Sequence, residues 1–310
     1  MDNGSFDGKH QVNQGDTVTL DGIRSRLGLK TPRQLITAGL LLVLGVMIFF
    51  VVKAQNPFAV DWHYSYRPAA VALAEGKSPF AEVPLFVTAP WSLIPIIPFA
   101  LLPEDIGRSL WFVVSIAMFA FVGYKLGAKP IALMALILSA PIANCLQVGN
   151  IEWMVLLGFI LPPQIGLIFL AIKPQSTFVA VLFILVENWR TKGFIEVLKI
   201  VWPTAALGIL SLVLYGMWPL KAQIAAPTAG VFNISIWPQG IPIGLLLALR
   251  AFRDRNIKPA MMASTFLSPY TILLSWSSAV AAFANSTVEM VTVCLGSWVF
   301  WIIYRLTVVR

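Results

Sequence analysis

Long apolar runs separated by short polar segments make up most of this chain. In runs such as "LITAGLLLVLGVMIFFVV", apolar residues do not alternate with polar ones, and this argues against the strands of a membrane β-barrel. A helix needs about 20 mainly apolar residues to cross a hydrocarbon core of about 30 Å. The pattern therefore predicts an all-α polytopic membrane protein with about ten transmembrane helices.

The second run is rich in proline, with Pro90, Pro95 and Pro98, so we expect it to be kinked or broken. The predicted spans cover residues 35–52, 87–102, 110–126, 130–146, 151–172, 177–186, 195–217, 239–252, 259–282 and 288–304.

Basic residues define the expected orientation. Arg24, Arg26, Lys30 and Arg33 precede the first span, and cytoplasmic segments carry an excess of Lys and Arg. We therefore expect a multi-pass protein of the plasma membrane with its N-terminus in the cytoplasm. The predicted parts are a cytoplasmic tail, residues 1–33, and a transmembrane domain, residues 34–310, whose first extracytoplasmic loop is residues 53–86.

The amino-acid composition excludes further classes of protein. Of the 310 residues, 58% are hydrophobic and 12% are charged, against roughly 25% charged in soluble domains. The net charge of +8 comes from residues at the ends of apolar runs, which is typical of membrane anchoring and not of nucleic-acid binding. Cys145 and Cys294 lie in apolar runs and suit small buried hydrophobes. No metal-ligand motif occurs, so no cofactor is indicated; a divalent metal is not indicated either, although metal dependence stays open at this point.

The segment "DWHYSYRPAAVALAEGKSPF", residues 61–80, is unusually polar for its position directly after the first span. Pro68 to Glu75 reads as a short interfacial helix in the first outer loop, with Gly76 as its stop. Asp61 beside such a helix is placed to meet a substrate whose lipid part stays in the bilayer. The alternative is a solvated loop carboxylate.

Lys173 is the second candidate, because "AIKPQS" interrupts a long apolar stretch. A lysine there is costly unless it reaches water, an anion or a carboxylate. It therefore either binds a lipid phosphate or extends to the interface from a helix end. On the expected topology it lies on the same outer side as Asp61.

The junction "NCLQVGNIEW" is the third candidate. Asn144, Gln147, Asn150 and Glu152 supply donors and acceptors at membrane depth, and Gly149 permits a tight turn. Such residues either join helices by hydrogen bonds or form part of a binding site.

Two further residues of the first outer loop have two readings each. Arg67 either attracts a phosphate or contacts lipid headgroups. His63 either acts as an acid or base, or is simply solvated.

The order of these features resembles glycosyltransferase family 87, of the GT-C superfamily that uses polyprenyl-phosphate sugars. "QVGNIEW" resembles the family's Gln-x-Gly-Gln-x-Asn stretch, "IKPQ" its Lys-Pro element and, more loosely, "LSPY" at residues 267–270 a late Ser-Pro motif. In the first part of the chain the matching positions are Asp61, Tyr64, Ala70, Gly76, Pro79, Phe80, Phe86, Pro90, Pro95, "LLP" at 101–103 and Trp111. The resemblance covers residues 35–190 well and the C-terminal third poorly. The chain departs from the family at "TAPW" and lacks the second Gln in "QVGN".

This resemblance implies an inverting hexosyltransferase, mannosyltransferase-like, acting on the extracytoplasmic side. Asp61 would be the general base toward a hydroxyl acceptor on a lipid or glycan. Lys173 and Arg67 would bind the phosphate of a polyprenyl-phosphate sugar donor. Substrate contacts would come from four further residues: Tyr64, His63, Gln147 and Asn150.

Two other functions stay open at this point. The first is a non-catalytic, degenerate GT-C-like subunit that associates with other membrane subunits, which suits a compact chain lacking parts of the motif. The second is a transporter or lipid flippase, for which paired broken helices and ionisable residues at mid-membrane are expected.

Overall fold

The computed structural model describes residues 32–55, 59–220 and 232–308. The predicted cytoplasmic tail therefore lies outside the described residues, apart from its last two. The chain divides into two compact units, Met1–Ile48 and Phe49–Arg310. In the first unit, the described part is the beginning of a long apolar helix. The second unit contains every site discussed below.

All regular structure in the described residues is helical. The helices are α1 (Pro32–Gln55), α2 (Arg67–Ala74), α3 (Pro79–Glu82), α4 (Ile97–Ala100), α5 (Glu104–Lys125), α6 (Pro130–Leu138), α7 (Ala140–Val148), α8 (Glu152–Leu157), α9 (Pro163–Leu170), α10 (Pro174–Lys192), α11 (Phe194–Tyr215), α12 (Ile241–Asp254), α13 (Ile257–Leu267), α14 (Ser277–Ala281) and α15 (Thr287–Val308). A π-helical turn covers Trp62–Tyr66, and 3₁₀ turns cover Pro90–Leu93 and Leu273–Trp276.

Four helices in the described ranges are long and apolar enough to cross a membrane: α1 over Ile36–Gln55, α5, α11 and α15 over Thr287–Thr307. A fifth candidate is α6 with α7, a pair bent by 58° at Ser139. The prediction of an α-helical membrane protein is confirmed. Several runs that the sequence presents as single spans are divided instead.

Proline and glycine account for these divisions. Residues 87–102 form the 3₁₀ turn Pro90–Leu93 and the single turn α4, in agreement with the expected break. Residues 151–172 form α8 and α9, separated by a turn that runs from Gly158 to Pro162. Proline fixes its own φ and suits the first turn of a new helix, so α9 begins at Pro163.

The polar segment after α1 forms one continuous helical path. Its π-helical turn Trp62–Tyr66 runs directly into α2, and Gly76 follows with φ +73°. The predicted helix over 68–75 is therefore present, one residue out at each end. One face of α2 is buried in the core through three alanines: Ala69, Ala70 and Ala72.

A cluster of aromatic side chains packs against the start of this helical path. Trp62 and Trp111 are both buried, and their rings stack with centroids 5.7 Å apart. Trp111 also contacts Trp153, at 5.4 Å, and Phe99, at 5.6 Å. The start of the polar segment, α5 and α8 are thus held together by aromatic side chains, which bury large areas each.

Candidate functional site

Asp61 and Asn150 are joined by a hydrogen bond. Asn150 Nδ2 donates to Asp61 Oδ2 over 2.5 Å, although the residues lie 89 positions apart. A second bond holds the Asn150 amide in this orientation, since its Oδ1 accepts from the Ile151 N–H at 2.7 Å. Asn150 is buried and Asp61 is partly exposed. Within the described residues, Asp61 Oδ1 accepts no hydrogen bond, so this oxygen is open to a ligand.

Lys173 extends the same network. Its Nζ donates to Asn150 Oδ1 at 2.7 Å and to Glu152 Oε1 at 2.8 Å. The Lys173 and Glu152 side chains are only 6% and 0% exposed. We call Asp61, Asn150, Lys173 and Glu152 the buried polar network. An ammonium group has three N–H donors, and two of those of Lys173 are used here.

Gly149 explains why Asn150 points toward Asp61. It ends α7 with φ +73°, and its N–H and that of Asn150 return to the carbonyls of Leu146 and Cys145. This is the Schellman arrangement that ends many helices. A Cβ at Gly149 would lie 2.7 Å from the Cβ of Trp62, so the turn also packs directly on the polar segment.

Lys173 is placed by the sharp connection between α9 and α10. It lies at the N-cap of α10 with φ −134° and ψ 75°, outside the α region that a following proline disfavours. Its carbonyl accepts from the Ser176 and Thr177 hydroxyls, each at 3.1 Å, and Thr177 also donates to the Leu170 carbonyl at 2.8 Å. These bonds hold the turn rigidly and direct the ammonium group inward.

Asp61 lies outside the candidate spans, and opposing effects act on the pKa of its carboxyl group. Burial raises the pKa of Asp61, while the Asn150 hydrogen bond and the charge of Lys173 lower it; burial is the largest of the three. The charge of Asp61 in turn contributes, after burial, to raising the pKa of the half-buried Tyr270. The late "LSPY" segment therefore lies within electrostatic range of Asp61. Such a tuned carboxylate in a partly enclosed place is typical of functional sites.

The remaining candidates from the sequence make other contacts. His63 Nδ1 is hydrogen-bonded to Glu104 Oε1, at the start of α5. Tyr64 is 50% exposed and its ring packs edge-on against His63 at 4.7 Å. Arg67 Nη2 donates to the Leu102 carbonyl at 3.4 Å. None of these three residues contacts the buried polar network through a bond that the structure describes.

Gln147 is also separated from the network, three residues before Asn150 but on the body of α7. It lines a cleft of about 410 Å³ together with Arg108 and Gln55. The described residues that line this cleft do not include Asp61, Asn150 or Lys173. Gln147 and Asn150, the first and last residues of "QVGN", therefore belong to two different sites, because the turn at Gly149 lies between them.

Two residues of the network region were given no individual role in the predicted site. Glu152 belongs to the polar junction, but a carboxylate 21 positions before Lys173 gives no sequence signal of an ion pair. Tyr66 lies beside Asn150 and is buried. Its position at the end of a π-helical turn, a form common at functional sites, is visible only in the structure.

No group of three His, Cys, Asp or Glu side chains suited to a metal ion occurs in residues 32–55, 59–220 and 232–308. The two carboxylates of the network are each engaged by a protein donor, Asp61 by Asn150 and Glu152 by Lys173.

The fold and site define an α-helical membrane protein with a buried, charged network next to a partly exposed carboxylate. In comparisons with known proteins, no family model, curated protein or solved structure matches the chain. The assignment of a function therefore depends on the site itself and on the motif order of the sequence.

Proposed function

We propose that this protein is a membrane glycosyltransferase. It moves a hexose, such as mannose, from a polyprenyl-phosphate donor to a hydroxyl acceptor on a lipid or glycan, with inversion, on the extracytoplasmic side of the plasma membrane. The observation that carries the proposal is the state of Asp61: Asn150 holds one carboxylate oxygen and the other is open. The order of motifs that resembles family 87 supports the same reaction. We also propose that the protein has ten spans in a GT-C arrangement and that its N-terminus is cytoplasmic.

The proposed step uses Asp61 as general base. Its open oxygen takes the proton of the acceptor hydroxyl while the hydroxyl oxygen attacks the anomeric carbon. The new glycosidic C–O bond forms as the bond from the anomeric carbon to the phosphate oxygen breaks. Polyprenyl phosphate leaves with the electron pair. General-base assistance of this kind contributes roughly 10² to 10⁴ in rate.

The positive charge that stabilises the leaving phosphate would come from Lys173 and Arg67. The ammonium of Lys173 keeps one N–H beyond its two protein bonds. Arg67 Nε is buried and makes no hydrogen bond within the described residues, so it has a donor to offer. Positive groups prearranged at a developing negative charge are among the largest contributors to catalysis.

The test is transfer of labelled mannose from a polyprenyl-phosphate donor to a lipid extract by the purified protein. Wild type is expected to transfer label and Asp61→Asn is not. Asp254→Asn, which changes an aspartate at the exposed end of α12, is the matched control and should behave as wild type. Equal transfer by wild type and Asp61→Asn would contradict the mechanism.

A second function is favoured by one observation. Lys173 and Glu152 form a buried, mutually neutralising pair, which suits a purely structural role in a non-catalytic membrane subunit. That function predicts co-purification with a larger membrane complex at fixed stoichiometry. It also predicts that Asp61→Ala leaves the glycoconjugates of the host unchanged, whereas the glycosyltransferase function predicts their loss.

A further inference from the structure

Trp111 of α5 contacts the backbone at the turn that carries Asn150. Its side chain is buried, and its Nε1 donates to the Gly149 carbonyl over 3.3 Å. Gly149 follows the last residue of α7, where carbonyl groups no longer have partners within the helix. The same carbonyl belongs to the peptide bond that joins Gly149 to Asn150, so Trp111 holds that peptide plane directly.

Trp111 also contacts the residue next to Asp61. Its ring stacks on that of Trp62, with centroids 5.7 Å apart and planes inclined by 28°. Trp62 follows Asp61 in the chain and packs on Gly149, because a Cβ there would lie 2.7 Å from the Cβ of Trp62. One side chain of α5 thus contacts the neighbours of both Asp61 and Asn150, which hydrogen-bond to each other.

The hydrogen bond distinguishes Trp111 from the other two tryptophans of this aromatic cluster. Within the described residues, the buried Nε1 atoms of Trp62 and Trp153 make no hydrogen bond. Those two indoles therefore contribute packing only, whereas the N–H of Trp111 fixes both the rotation of its own ring and the direction of the Gly149 carbonyl. Buried tryptophan N–H groups usually find a partner, and such a bond is costly to lose in an apolar place.

We infer that Trp111 is a positioning residue for the Asp61 carboxylate. Through the Gly149 peptide and the ring of Trp62, it holds the amide of Asn150 against Asp61 Oδ2. Trp111 makes no bond to the carboxylate that the structure describes, so it acts through Asn150. The positioning itself does not depend on sugar transfer; only its use in catalysis rests on the proposed function.

The ionisation of Asp61 reports this positioning. The Asn150 hydrogen bond is one of the effects that lower the pKa of Asp61, so a looser Asn150 raises that pKa further. Five other titratable groups interact electrostatically with Asp61: Lys173, Glu152, Tyr66, Tyr270 and Cys145. None of the five is hydrogen-bonded to Trp111 in the described residues, so a change at Trp111 reaches Asp61 through Asn150.

The test measures the protonation of Asp61 by its reaction with dicyclohexylcarbodiimide, an apolar reagent that adds to protonated carboxyl groups. The full-length protein in detergent is labelled over a series of pH values, and the modified Asp61 peptide is quantified by mass spectrometry. Trp111→Phe should shift the midpoint of labelling upward by about 0.5 to 1 pH unit, which is part of the roughly 1 to 2 units for complete loss of a hydrogen bond to a charged group.

Two further variants separate positioning from folding. Asn150→Leu should itself raise the midpoint, and Trp111→Phe added to it should cause no further shift, because Trp111 acts through Asn150. Replacement of Trp111 by benzothienylalanine puts sulfur in place of the N–H in a ring of nearly the same shape. This replacement should keep the fold and raise the midpoint, even if Trp111→Phe does not fold.

Trp298→Phe and Phe99→Leu are the matched controls. Trp298 Nε1 also donates to a backbone carbonyl, that of Leu138 at 2.8 Å, but it belongs to α15 and not to the aromatic cluster. Phe99 packs edge-on against Trp111 at 5.6 Å. Both variants should lower the melting temperature and leave the labelling midpoint of Asp61 where it is in wild type.

An unchanged or lowered midpoint in the benzothienylalanine protein overturns the inference, as does an equal upward shift in Trp298→Phe. A protein that shows the upward shift but transfers no sugar contradicts the proposed reaction and leaves the positioning role of Trp111 intact. Sugar transfer that depends on Asp61, together with an unchanged midpoint, contradicts the positioning role alone.

Discussion

Lys173 and Glu152 form an ion pair of 2.8 Å in which both side chains are almost fully removed from solvent. Because Lys173 also donates to Asn150, and Asn150 donates to Asp61, the pair holds the residue that orients the proposed base. Buried pairs are costly to desolvate and are sensitive to the loss of one partner.

Either Lys173→Met or Glu152→Gln alone should destabilise the fold by about 3 to 5 kcal/mol, because each leaves a buried charge without its partner. The double variant should be more stable than the sum of the two single changes implies. Thermal unfolding of all four proteins in detergent measures this double-mutant cycle. Additive effects would show that the pair contributes no coupling. Arg190→Gln, which breaks an exposed pair with Glu187, is the control and should change little.

Asp61→Asn should lower the rate of sugar transfer by roughly 10² to 10⁴ while leaving the fold intact, because the amide cannot accept the acceptor's proton at neutral pH. The measurement is initial-rate transfer at saturating donor, with the melting temperature recorded alongside. A variant that melts with wild type but transfers label at the wild-type rate would remove Asp61 from the chemistry.

The pH dependence of transfer follows from the raised pKa of Asp61. The base must be ionised, so activity should rise with pH through a pKa above the usual value of roughly 4 for aspartate. Asn150→Leu removes a hydrogen bond that lowers this pKa, so the acid limb should move to higher pH. A limb that stays in place, or moves to lower pH, would contradict the role of Asn150.

The same group affects stability in the opposite sense to an ordinary salt-bridged carboxylate. Since its folded pKa is raised, its favourable contribution is fully present below the pKa of the unfolded chain. That contribution is lost as pH rises through the folded pKa. The difference in unfolding free energy between wild type and Asp61→Asn should therefore shift against wild type as pH rises. Unfolding curves at a series of pH values measure it.

Gly149 and Gly76 form a matched pair, since both have φ +73°. Gly76→Ala has open space around the new Cβ and should cost only the strain of a left-handed residue, roughly 1 to 2 kcal/mol. Gly149→Ala adds a clash at 2.7 Å with the Cβ of Trp62, so it should cost clearly more. It should also reduce transfer, because Asn150 moves with the turn. Equal melting temperatures for the two variants would show that this packing contributes nothing.

Local patterns predicted much of the helical path. The first span over 35–52 lies within α1, the helix over 68–75 is present as α2, and the proline-rich run 87–102 is broken. Each depends on neighbouring residues, such as an apolar run, a proline or a stopping glycine. Residues 151–172 were predicted as one span and form two short helices instead. Hydropathy does not register a break when the residues on both sides are apolar.

By itself, the sequence determined that this is an apolar, helical membrane protein and that Asp61, Asn150 and Lys173 are polar residues out of place in such a chain. Composition and short-range pattern suffice for this, because the bilayer requires every spanning backbone to satisfy its own hydrogen bonds. Only the tertiary structure decided that these three residues meet, with Glu152 as the partner of Lys173. It also assigned Gln147 to a separate cleft. The contacts join residues 21 to 89 positions apart, and their partners follow from how helices pack and where Gly149 turns the chain.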